Sequence, residues 1–450
     1  MSAPLDVSEA ELALLTDLYQ LTMTQAYWKE AMHERATFSL FFRRLPPTRR
    51  FMLACGQQHA AARVSRLRFG EAQLAQLAAT GHFEAAFLDW LEAWRFTGEI
   101  RTLPEGTPVF ADEPLLEVEA PIAEAQLLES LLMNLVQLET LLASKAVRLV
   151  IAARGRPVVD FGLRRMHGID AAVRGVRAYR SAGLEGTSNV LGGLRHDLPL
   201  RGTMAHSYIL AHDDETAAFA AFARHYPNTT LLVDTHDTLA GVDRLVALLA
   251  ADPGLSVAAI RLDSGDLGAL ARGPRQRLDA AGHGDVKIIA SSGLDEWRIA
   301  DLLAQGAPID AFGVGTQLGV SADAPVIDLS YKLVAYAGRP RVKHSPGKIN
   351  LPGAKQVYRR RDAEGRLVGD TLARHDEAGI EGAPLLVPLV KAGGVDDELM
   401  ALADSARERV AAALAALPTS LRRLAPREAP EDDYPVRLSP GLERLRQEIG

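Results

Sequence analysis

The stretch Ala258-Ala259-Ile260-Arg261-Leu262-Asp263 is a short apolar run that ends in polar residues. Strands that are buried on both faces have continuous apolar runs of this kind. Further runs of the same type occur along the chain, mostly separated by helix-like segments. They are 157–162, the approach to Gly202 (Leu198 and Leu200), 231–235, 286–291 and 309–314, with a weaker one at 183–190.

Repeated βα units at this interval favour an α/β fold with an irregular (β/α) TIM-like barrel. A doubly wound open sheet is the alternative. That fold commonly places a G-x-G-x-x-G turn after its first strand. No such turn follows Pro157–Gly162, so the barrel is the favoured interpretation.

Polar or glycine-containing clusters follow these runs at the predicted strand ends. In a barrel the carboxyl ends of all strands open onto one face, where the sites of this fold lie. We therefore expect the clusters to form one pocket. They comprise Arg164 and Arg165; Thr203 and His206; Asp234, His236 and Asp237; Arg261, Asp263, Ser264 and Asp266; Ser291, Ser292 and Gly293; and Gly313, Gly315 and Thr316.

His206 in Gly202-Thr203-Met204-Ala205-His206-Ser207 is the first candidate for chemistry. An imidazole can exchange protons, bind a metal or accept a phosphoryl group near neutral pH. For a single histidine, a hydrogen bond to a neighbouring carbonyl is the simpler alternative. The other polar residues expected around it favour the functional interpretation.

Phosphate and magnesium are the ligands indicated by the remaining clusters. Gly313-Val314-Gly315-Thr316 follows a late strand, where barrels often bind phosphate, and Ser291-Ser292-Gly293 could add a second cradle. Four acidic residues offer oxygen ligands, and Mg²⁺ is usually held by one or two carboxylates with substrate phosphates. Helix capping is the alternative for some of them. The four are Asp234, Asp237, Asp263 and Asp266.

Arg261 stands in an otherwise apolar strand, where a charge is costly unless it is paired. Together with Arg164 and Arg165 it could hold a carboxylate or phosphate at two points. Asp263 lies two residues on and points to the same side, so an internal ion pair is the alternative. The residues alone thus indicate a Mg²⁺-assisted enzyme for phosphorylated, anionic small molecules.

Outside the repeats, the chain divides into three predicted segments. Residues 1–121 form an N-terminal α+β domain with helices over 12–28 and 70–94, a strand over 37–43 and short strands over 98–121. Residues 122–338 form the barrel, which a long helix over 122–153 introduces. Residues 339–450 form a return segment and a C-terminal extension with a helix over 396–417 and a Pro-rich tail.

The composition excludes several classes of protein. The net charge is −7 and no long basic block occurs, which argues against nucleic-acid binding. Cys55 is the only cysteine, so neither a disulfide framework nor a thiolate metal site can form. The acidic N-terminus is unlike a targeting peptide, and the most apolar span, 127–153, is too polar for a bilayer. We expect a soluble cytoplasmic protein.

Several motifs in order resemble the nicotinate phosphoribosyltransferase family, which belongs to the type II phosphoribosyltransferases. The similarity runs from about residue 12 to 360 and includes the closing stretch. The motifs are Leu14–Gln20, Phe161–Arg165, Gly186–Asn189, Gly202–Ser207, Arg261–Asp266, Ser291–Leu294, Phe312–Thr316, Pro352–Tyr358 and Tyr434–Ser439.

The resemblance implies transfer of a 5-phosphoribosyl group from phosphoribosyl pyrophosphate to nicotinate. The products are nicotinate mononucleotide and pyrophosphate, in the salvage branch of NAD biosynthesis. It also implies coupled ATP hydrolysis, Mg²⁺ and a homodimer. Related activities remain as alternatives: a nicotinamide or quinolinate phosphoribosyltransferase, or a nucleotide or phosphosugar sensor without turnover.

The resemblance also implies roles for individual residues. His206 would be the phosphohistidine, with Arg261 and Asp263 as further catalytic groups and Asp263 and Asp234 as magnesium ligands. Nicotinate would contact Tyr19, Arg164, Thr203 and Arg261. Phosphoribosyl pyrophosphate would contact Gly315, Thr316, Ser292, Gly293 and Arg165. His167 stands where the family usually has a small residue or Gln, so it would alter either the rim of the pocket or only its packing.

Overall fold

The computed structural model describes residues 7–343, 350–401, 405–426 and 433–449. It divides into two compact units, one formed by Met1–Leu141 with Val326–Gly450 and the other by Leu142–Pro325. The predicted domains 1–121, 122–338 and 339–450 stay a prediction. None of the described helices is both long and apolar enough to cross a membrane.

The chain up to the long helix contains one 3₁₀ turn, six helices and five strands in its described part. They are the turn Glu9–Leu14, α1 (Leu18–Lys29), β1 (Arg35–Phe42), β2 (Met52–Leu53), α2 (Gln57–Val64), α3 (Glu71–Ala79), α4 (Ala85–Ala93), β3 (Glu99–Thr102), β4 (Pro108–Val109), β5 (Pro114–Pro121), α5 (Ile122–Leu127) and α6 (Glu129–Ala153).

The predicted elements of this region are present, but three of the helices are shorter than predicted. The first helix begins only at Leu18, after a 3₁₀ turn. The helix predicted over 70–94 is two helices, because the chain turns at Gly81, whose φ of 71° favours glycine. The long helix is likewise divided at Leu128.

The second unit holds the βα repeats. Its elements after α6 are β6 (Val158–Asp160), the 3₁₀ turn Leu163–Arg165, α7 (Ile169–Ala182), β7 (Gly186–Thr187), α8 (Val190–His196), α9 (His206–Leu210), α10 (Glu215–His225), β8 (Thr229–Leu232), α11 (Thr238–Ala251), β9 (Val257–Leu262), α12 (Leu267–Ala280), β10 (Lys287–Ala290), α13 (Glu296–Ala304), β11 (Ala311–Val314) and α14 (Thr316–Gly319).

These strands form one parallel sheet in the order β7-β6-β11-β10-β9-β8. Its central apolar side chains, such as Ile260, Ile288 and Phe312, have no exposed surface. Burial on both faces explains why the strands are continuous apolar runs. The parallel βα architecture of the prediction is confirmed.

The closed barrel is not shown by the described residues, because the sheet keeps two edges, at β7 and β8. The strand predicted on the approach to Gly202 is wrong: the segment makes only an isolated bridge between Leu200 and Thr187. Pro199 lacks an N–H group to donate to a ladder, and Gly202 carries no side chain to pack. The sheet is therefore a parallel half-barrel.

The chain after the second unit returns to the first unit. Its elements are β12 (Leu329–Tyr336), β13 (Arg339–Pro340), β14 (Lys355–Arg361), β15 (Leu367–Arg374), β16 (Ala383–Pro384), β17 (Val387–Lys391), β18 (Gly394–Val395), α15 (Asp397–Ala401), α16 (Ala406–Ala416), the 3₁₀ turn Thr419–Arg422, β19 (Val436–Leu438) and α17 (Pro440–Ile449). The helix predicted over 396–417 corresponds to α15 and α16. Its residues 402–404 and part of the predicted Pro-rich tail lie outside the described residues.

Strands from both ends of the chain share the main sheet of the first unit. The order is β13-β12-β1-β5-β3-β17-β18, and all neighbours are antiparallel. A smaller sheet has the order β16-β14-β15-β19. The predicted return segment and C-terminal extension thus supply strands to the same unit as the N-terminal residues.

Candidate active site

Arg261, near the carboxyl end of β9, is the centre of a hydrogen-bonded group in the second unit. Its Nε donates to Ser291 Oγ at 2.8 Å, Nη1 to Thr203 Oγ1 at 2.9 Å and Nη2 to Asp263 Oδ1 at 2.8 Å. Its side chain is only 13% exposed. The ion pair with Asp263 that the sequence suggested is present. However, these contacts use only three of the five guanidinium N–H donors, so the group can still bind an anion.

An aromatic ring lies beneath the guanidinium. Arg261 Cζ is 5.3 Å from the centroid of the Phe161 ring, which follows β6. A Cβ on Gly313 of the neighbouring strand β11 would come within 2.3 Å of Phe161 Cε2. The glycine therefore makes room for the ring. Phe161 has no binding role in the sequence-based prediction; its signal is an aromatic residue near the end of the predicted strand 157–162.

His206, the first residue of α9, lies at the same group of side chains. Its Nδ1 is 3.1 Å from Thr235 Oγ1, and its Nε2 is 3.8 Å from Asp263 Oδ2. Asp263 Oδ1 also accepts a 2.5 Å hydrogen bond from Ser291 Oγ. The imidazole is 41% exposed, so a ligand can reach it. Thr235, which the sequence analysis did not single out, helps to orient the ring.

Asp234 supports the loop that carries Asp263. Its Oδ2 accepts hydrogen bonds from Asp263 N at 2.6 Å and Ser264 Oγ at 2.9 Å. Its Oδ1 is buried and has no hydrogen-bond partner within the described ranges. A buried carboxylate oxygen without a donor is the kind of atom that a cation or a bound substrate would satisfy.

The other two acidic candidates cap helices. Asp237 Oδ1 accepts from Ala240 N at 2.7 Å at the start of α11. Asp266 Oδ1 accepts from Gly268 N at 3.1 Å at the start of α12. The capping interpretation is confirmed for both residues. No group of three or more His, Cys, Asp or Glu side chains that could hold a metal ion occurs among the residues that the structure describes.

The predicted phosphate-binding residues follow two adjacent strands. Ser292 and Gly293, after β10, have φ angles of 76° and 61°, and both are exposed. A left-handed serine is uncommon, and such conformations cluster at ligand-binding sites. Gly315 and Thr316 lie directly after β11 and begin α14, with Thr316 exposed. The two loops follow paired strands and so lie side by side.

Asp160 at the end of β6 fixes the turn that precedes the two candidate arginines. It accepts hydrogen bonds from Gly162 N and Thr187 Oγ1, both at 2.7 Å. Burial raises its pKa above the ordinary aspartate value, although both hydrogen bonds oppose this shift. Arg164 and Arg165 follow in the 3₁₀ turn, and both side chains are exposed. Their assignment to different ligands stays a prediction, as does the role of the exposed His167.

Tyr19 belongs to the first unit, on α1, and is 48% exposed. Partial burial and the nearby carboxylates of Glu129 and Asp17 raise its pKa to about 12. The phenol is therefore neutral at physiological pH and can donate a hydrogen bond. Its contact with nicotinate stays a prediction.

Comparison with known proteins shows which family the chain belongs to. The model described as the nicotinate phosphoribosyltransferase (NAPRTase) N-terminal domain matches residues 14–137, and the model of the NAPRTase family matches residues 157–339. The chain is 50% identical over 428 residues to nicotinate phosphoribosyltransferase pncB2 of Mycobacterium tuberculosis, covering 95% of this chain and 91% of the relative. The chain belongs to the nicotinate phosphoribosyltransferase family.

Further members of the nicotinate phosphoribosyltransferase family agree with this assignment. The Bacillus subtilis nicotinate phosphoribosyltransferase is 40% identical over 376 residues, which cover 81% of this chain and 77% of the relative. The crystal structure of human nicotinic acid phosphoribosyltransferase superposes with a TM-score of 0.84 at 28% identity, covering 97% of this chain and all of the human chain. The mixed α/β fold is thus that of a solved member of the family.

Proposed function

We propose that this protein is the enzyme that transfers the 5-phosphoribosyl group of phosphoribosyl pyrophosphate to nicotinate in NAD biosynthesis. Nicotinate mononucleotide and pyrophosphate are the products, and ATP hydrolysis to ADP and phosphate is coupled to the transfer. The observation that carries the proposal is the Arg261 guanidinium, which three side chains hold over the ring of Phe161 at the strand ends. A flat ring with a carboxylate suits such a site.

Nicotinate is proposed to bind through the N–H donors of the Arg261 guanidinium. The N–H groups that Arg261 does not use internally can pair with the carboxylate in the two-point manner of arginine. The ring of Phe161 offers an apolar face to the pyridine. With one end held, the pyridine nitrogen would be aimed at the reacting carbon of the second substrate. Thr203 and Arg164 complete the proposed nicotinate site in the second unit.

The phosphoribosyl donor is proposed to bind where the two exposed loops lie side by side. Ser292 and Gly293 provide one loop, Gly315 and Thr316 the other, and Arg165 a cation. As the bond to pyrophosphate breaks, negative charge grows on the leaving oxygens. Hydrogen-bond donors and cations aimed at those oxygens stabilise the transition state more than the ground state.

Magnesium fits the same place through Asp234 and Asp263. The buried Asp234 Oδ1 has no partner within the described ranges, and two carboxylates with substrate phosphates are a usual set for Mg²⁺. When bound, the ion would neutralise charge on the phosphate oxygens. Asp263 also holds Arg261, so it would link the two proposed substrate sites.

ATP coupling is proposed to use His206. A half-exposed imidazole with one nitrogen at Thr235 Oγ1 and the other near Asp263 is oriented and open to a ligand. Such a group can accept a phosphoryl group and pass it to water as a covalent relay. We further propose that the enzyme is a cytoplasmic homodimer.

A product assay tests the reaction. The protein is incubated with phosphoribosyl pyrophosphate, Mg²⁺ and either nicotinate, nicotinamide or quinolinate, each with and without ATP. Nicotinate mononucleotide formed together with ADP is the expected result. Product from nicotinamide or quinolinate alone would overturn the substrate assignment, and no product from any of them would favour a nucleotide or phosphosugar sensor.

The position of the Phe161 ring gives a first prediction. In Gly313→Ala the new Cβ would overlap the ring at 2.3 Å, so the ring must move from beneath Arg261. We expect the Kd for nicotinate to rise by about tenfold or more, with a stability loss of about 1–3 kcal/mol. Calorimetric titration and thermal unfolding measure the two effects. Gly284→Ala, where the nearest atom is 3.4 Å away, is the control. Unchanged nicotinate binding in Gly313→Ala would contradict the role of the ring.

A further inference from the structure

A group of four charged side chains is buried in the second unit apart from the contacts of Arg261. Lys145 Nζ lies 2.5 Å from Glu296 Oε2 and 2.9 Å from Asp323 Oδ1, and Arg148 Nε lies 2.7 Å from Glu296 Oε1. Exposure of these side chains is 0% for Lys145 and Glu296, 1% for Asp323 and 6% for Arg148. We call these four residues the buried ion cluster.

The buried ion cluster is balanced in charge and enclosed. Both cations are on α6, one turn apart, and each lies 5.4 Å from the centroid of the Trp297 ring. Burying four charges is costly, and apolar replacements of buried ion pairs are often as stable or more stable. The stability of the fold alone therefore does not explain why the chain has this cluster. The segments that the cluster connects indicate another role.

Lys145 joins two segments that follow the proposed donor-binding loops. Glu296 is the first residue of α13, three residues after Gly293. Asp323 lies in the turn that follows α14, the short helix that begins at Thr316. One ammonium group thus contacts the chain beyond both loops. Lys145 is on the long helix α6, so the segments after both loops are held by ion pairs to the same helix.

The local backbone indicates that both segments are held firmly. Leu294, next to the left-handed pair Ser292-Gly293, is 1% exposed and anchors that loop from below. On the other side, Ser321 is buried with a φ of 46°, and its hydroxyl donates to Ala324 O at 2.9 Å. Asp323 thus lies inside a hydrogen-bonded turn that follows α14.

We propose that Lys145, Glu296 and Asp323 are positioning residues for the phosphoribosyl donor. Lys145 holds the Ser292-Gly293 loop and the Gly315-Thr316 turn at the separation needed to bind the two phosphate-bearing ends of one molecule. This inference rests on the proposed function, because it assigns the donor to these loops. The hydrogen bonds of Arg261 run to Ser291, Thr203 and Asp263, and none of these three residues belongs to the cluster.

The test separates the two substrates. Asp323→Ala removes the contact to the α14 side while Glu296 still pairs with Lys145. We expect the KM for phosphoribosyl pyrophosphate to rise by about 10- to 100-fold, as for a small misplacement of binding groups. The KM for nicotinate should change by less than about threefold. Steady-state kinetics with each substrate varied in turn, in the presence of Mg²⁺, measures the split.

The matched control is Asp310→Ala. Asp310 lies just before β11 and pairs with Lys287, the first residue of β10, at 3.8 Å. The change therefore removes an acidic ion-pair partner at the amino ends of β10 and β11, whereas the proposed donor loops follow the carboxyl ends of these strands. The KM for the donor should stay at the wild-type value. Should Asp323→Ala fail to fold, Asp323→Asn gives the same test with a smaller expected rise.

The outcomes distinguish the inference from the proposed reaction. Equal rises in both KM values, or no rise for the donor in either Asp323 variant, would overturn the positioning role. Calorimetric titration of the donor alone, with Mg²⁺, adds a readout that needs no turnover, and weaker binding by Asp323→Ala is expected. A wild-type protein that binds the donor but forms no nicotinate mononucleotide would contradict the reaction, and the calorimetric comparison would still decide the inference.

Discussion

Arg261→Ala is expected to weaken nicotinate binding by about 2–5 kcal/mol, which is about 30-fold to several thousand-fold in Kd. The guanidinium is 13% exposed, so a carboxylate that pairs with it is largely removed from water. Its loss removes the guanidinium from that carboxylate and also from Asp263. Titration calorimetry with nicotinate measures the change.

The control for Arg261 is an arginine of similar burial near the amino end of β10. Arg275 is 18% exposed and donates to the carbonyl oxygens of His283 and Val286, ahead of β10. Arg275→Ala should leave nicotinate affinity unchanged. Arg261→Lys keeps the charge but loses the planar fork, so it should recover only part of the affinity. If Arg261→Ala binds nicotinate as the wild type does, Arg261 is not part of the site.

His206→Ala is expected to lower the rate of ATP hydrolysis coupled to product formation by at least about 1000-fold. Loss of a covalent nucleophile has an effect of this size. Phosphoribosyl transfer without ATP should continue at a slower rate, because Arg261 and the proposed donor loops are unchanged. Release of ADP and of nicotinate mononucleotide, measured in the same reaction, gives both rates. ³²P from γ-labelled ATP should remain on the wild-type protein only.

The control for His206 lies six residues further along the chain. His212 contacts the carbonyl oxygen of Tyr208 through Nδ1 at 2.8 Å. His212→Ala should keep full ATP coupling. If the His206→Ala enzyme still hydrolyses ATP in step with product formation, His206 is not the phosphoryl relay. The assignment of the nicotinate site would not be affected.

The sequence predicted the repeating part of the fold well, because parallel buried strands have a strong local signature. The runs that became β6, β9, β10 and β11 were recognised from their apolar residues alone. The same reasoning failed near Gly202, where apolar residues approach a motif without forming a strand. Apolar character shows that a segment is buried, but hydrogen-bonded pairing depends on neighbours that lie far away in the chain.

The candidate site was predicted as a set of residue types at strand ends. The structure brings His206, Thr203, Arg261 and Asp263 together as expected. It also shows that the acidic residues have different roles. Asp237 and Asp266 cap helices, whereas Asp234 accepts hydrogen bonds from the loop that carries Asp263. Their spacing after the strands is similar, so sequence could not distinguish them.

The sequence by itself determined the family motifs, the parallel βα order and the kinds of groups at the site. The tertiary structure alone decided which of these groups meet. It placed the Phe161 ring against Gly313, joined Lys145 to Glu296 and Asp323 across more than 150 residues, and paired β12 with β1 across more than 280 residues. The physical reason is that local propensity acts over a few residues, whereas contacts between distant segments form only when the whole chain packs.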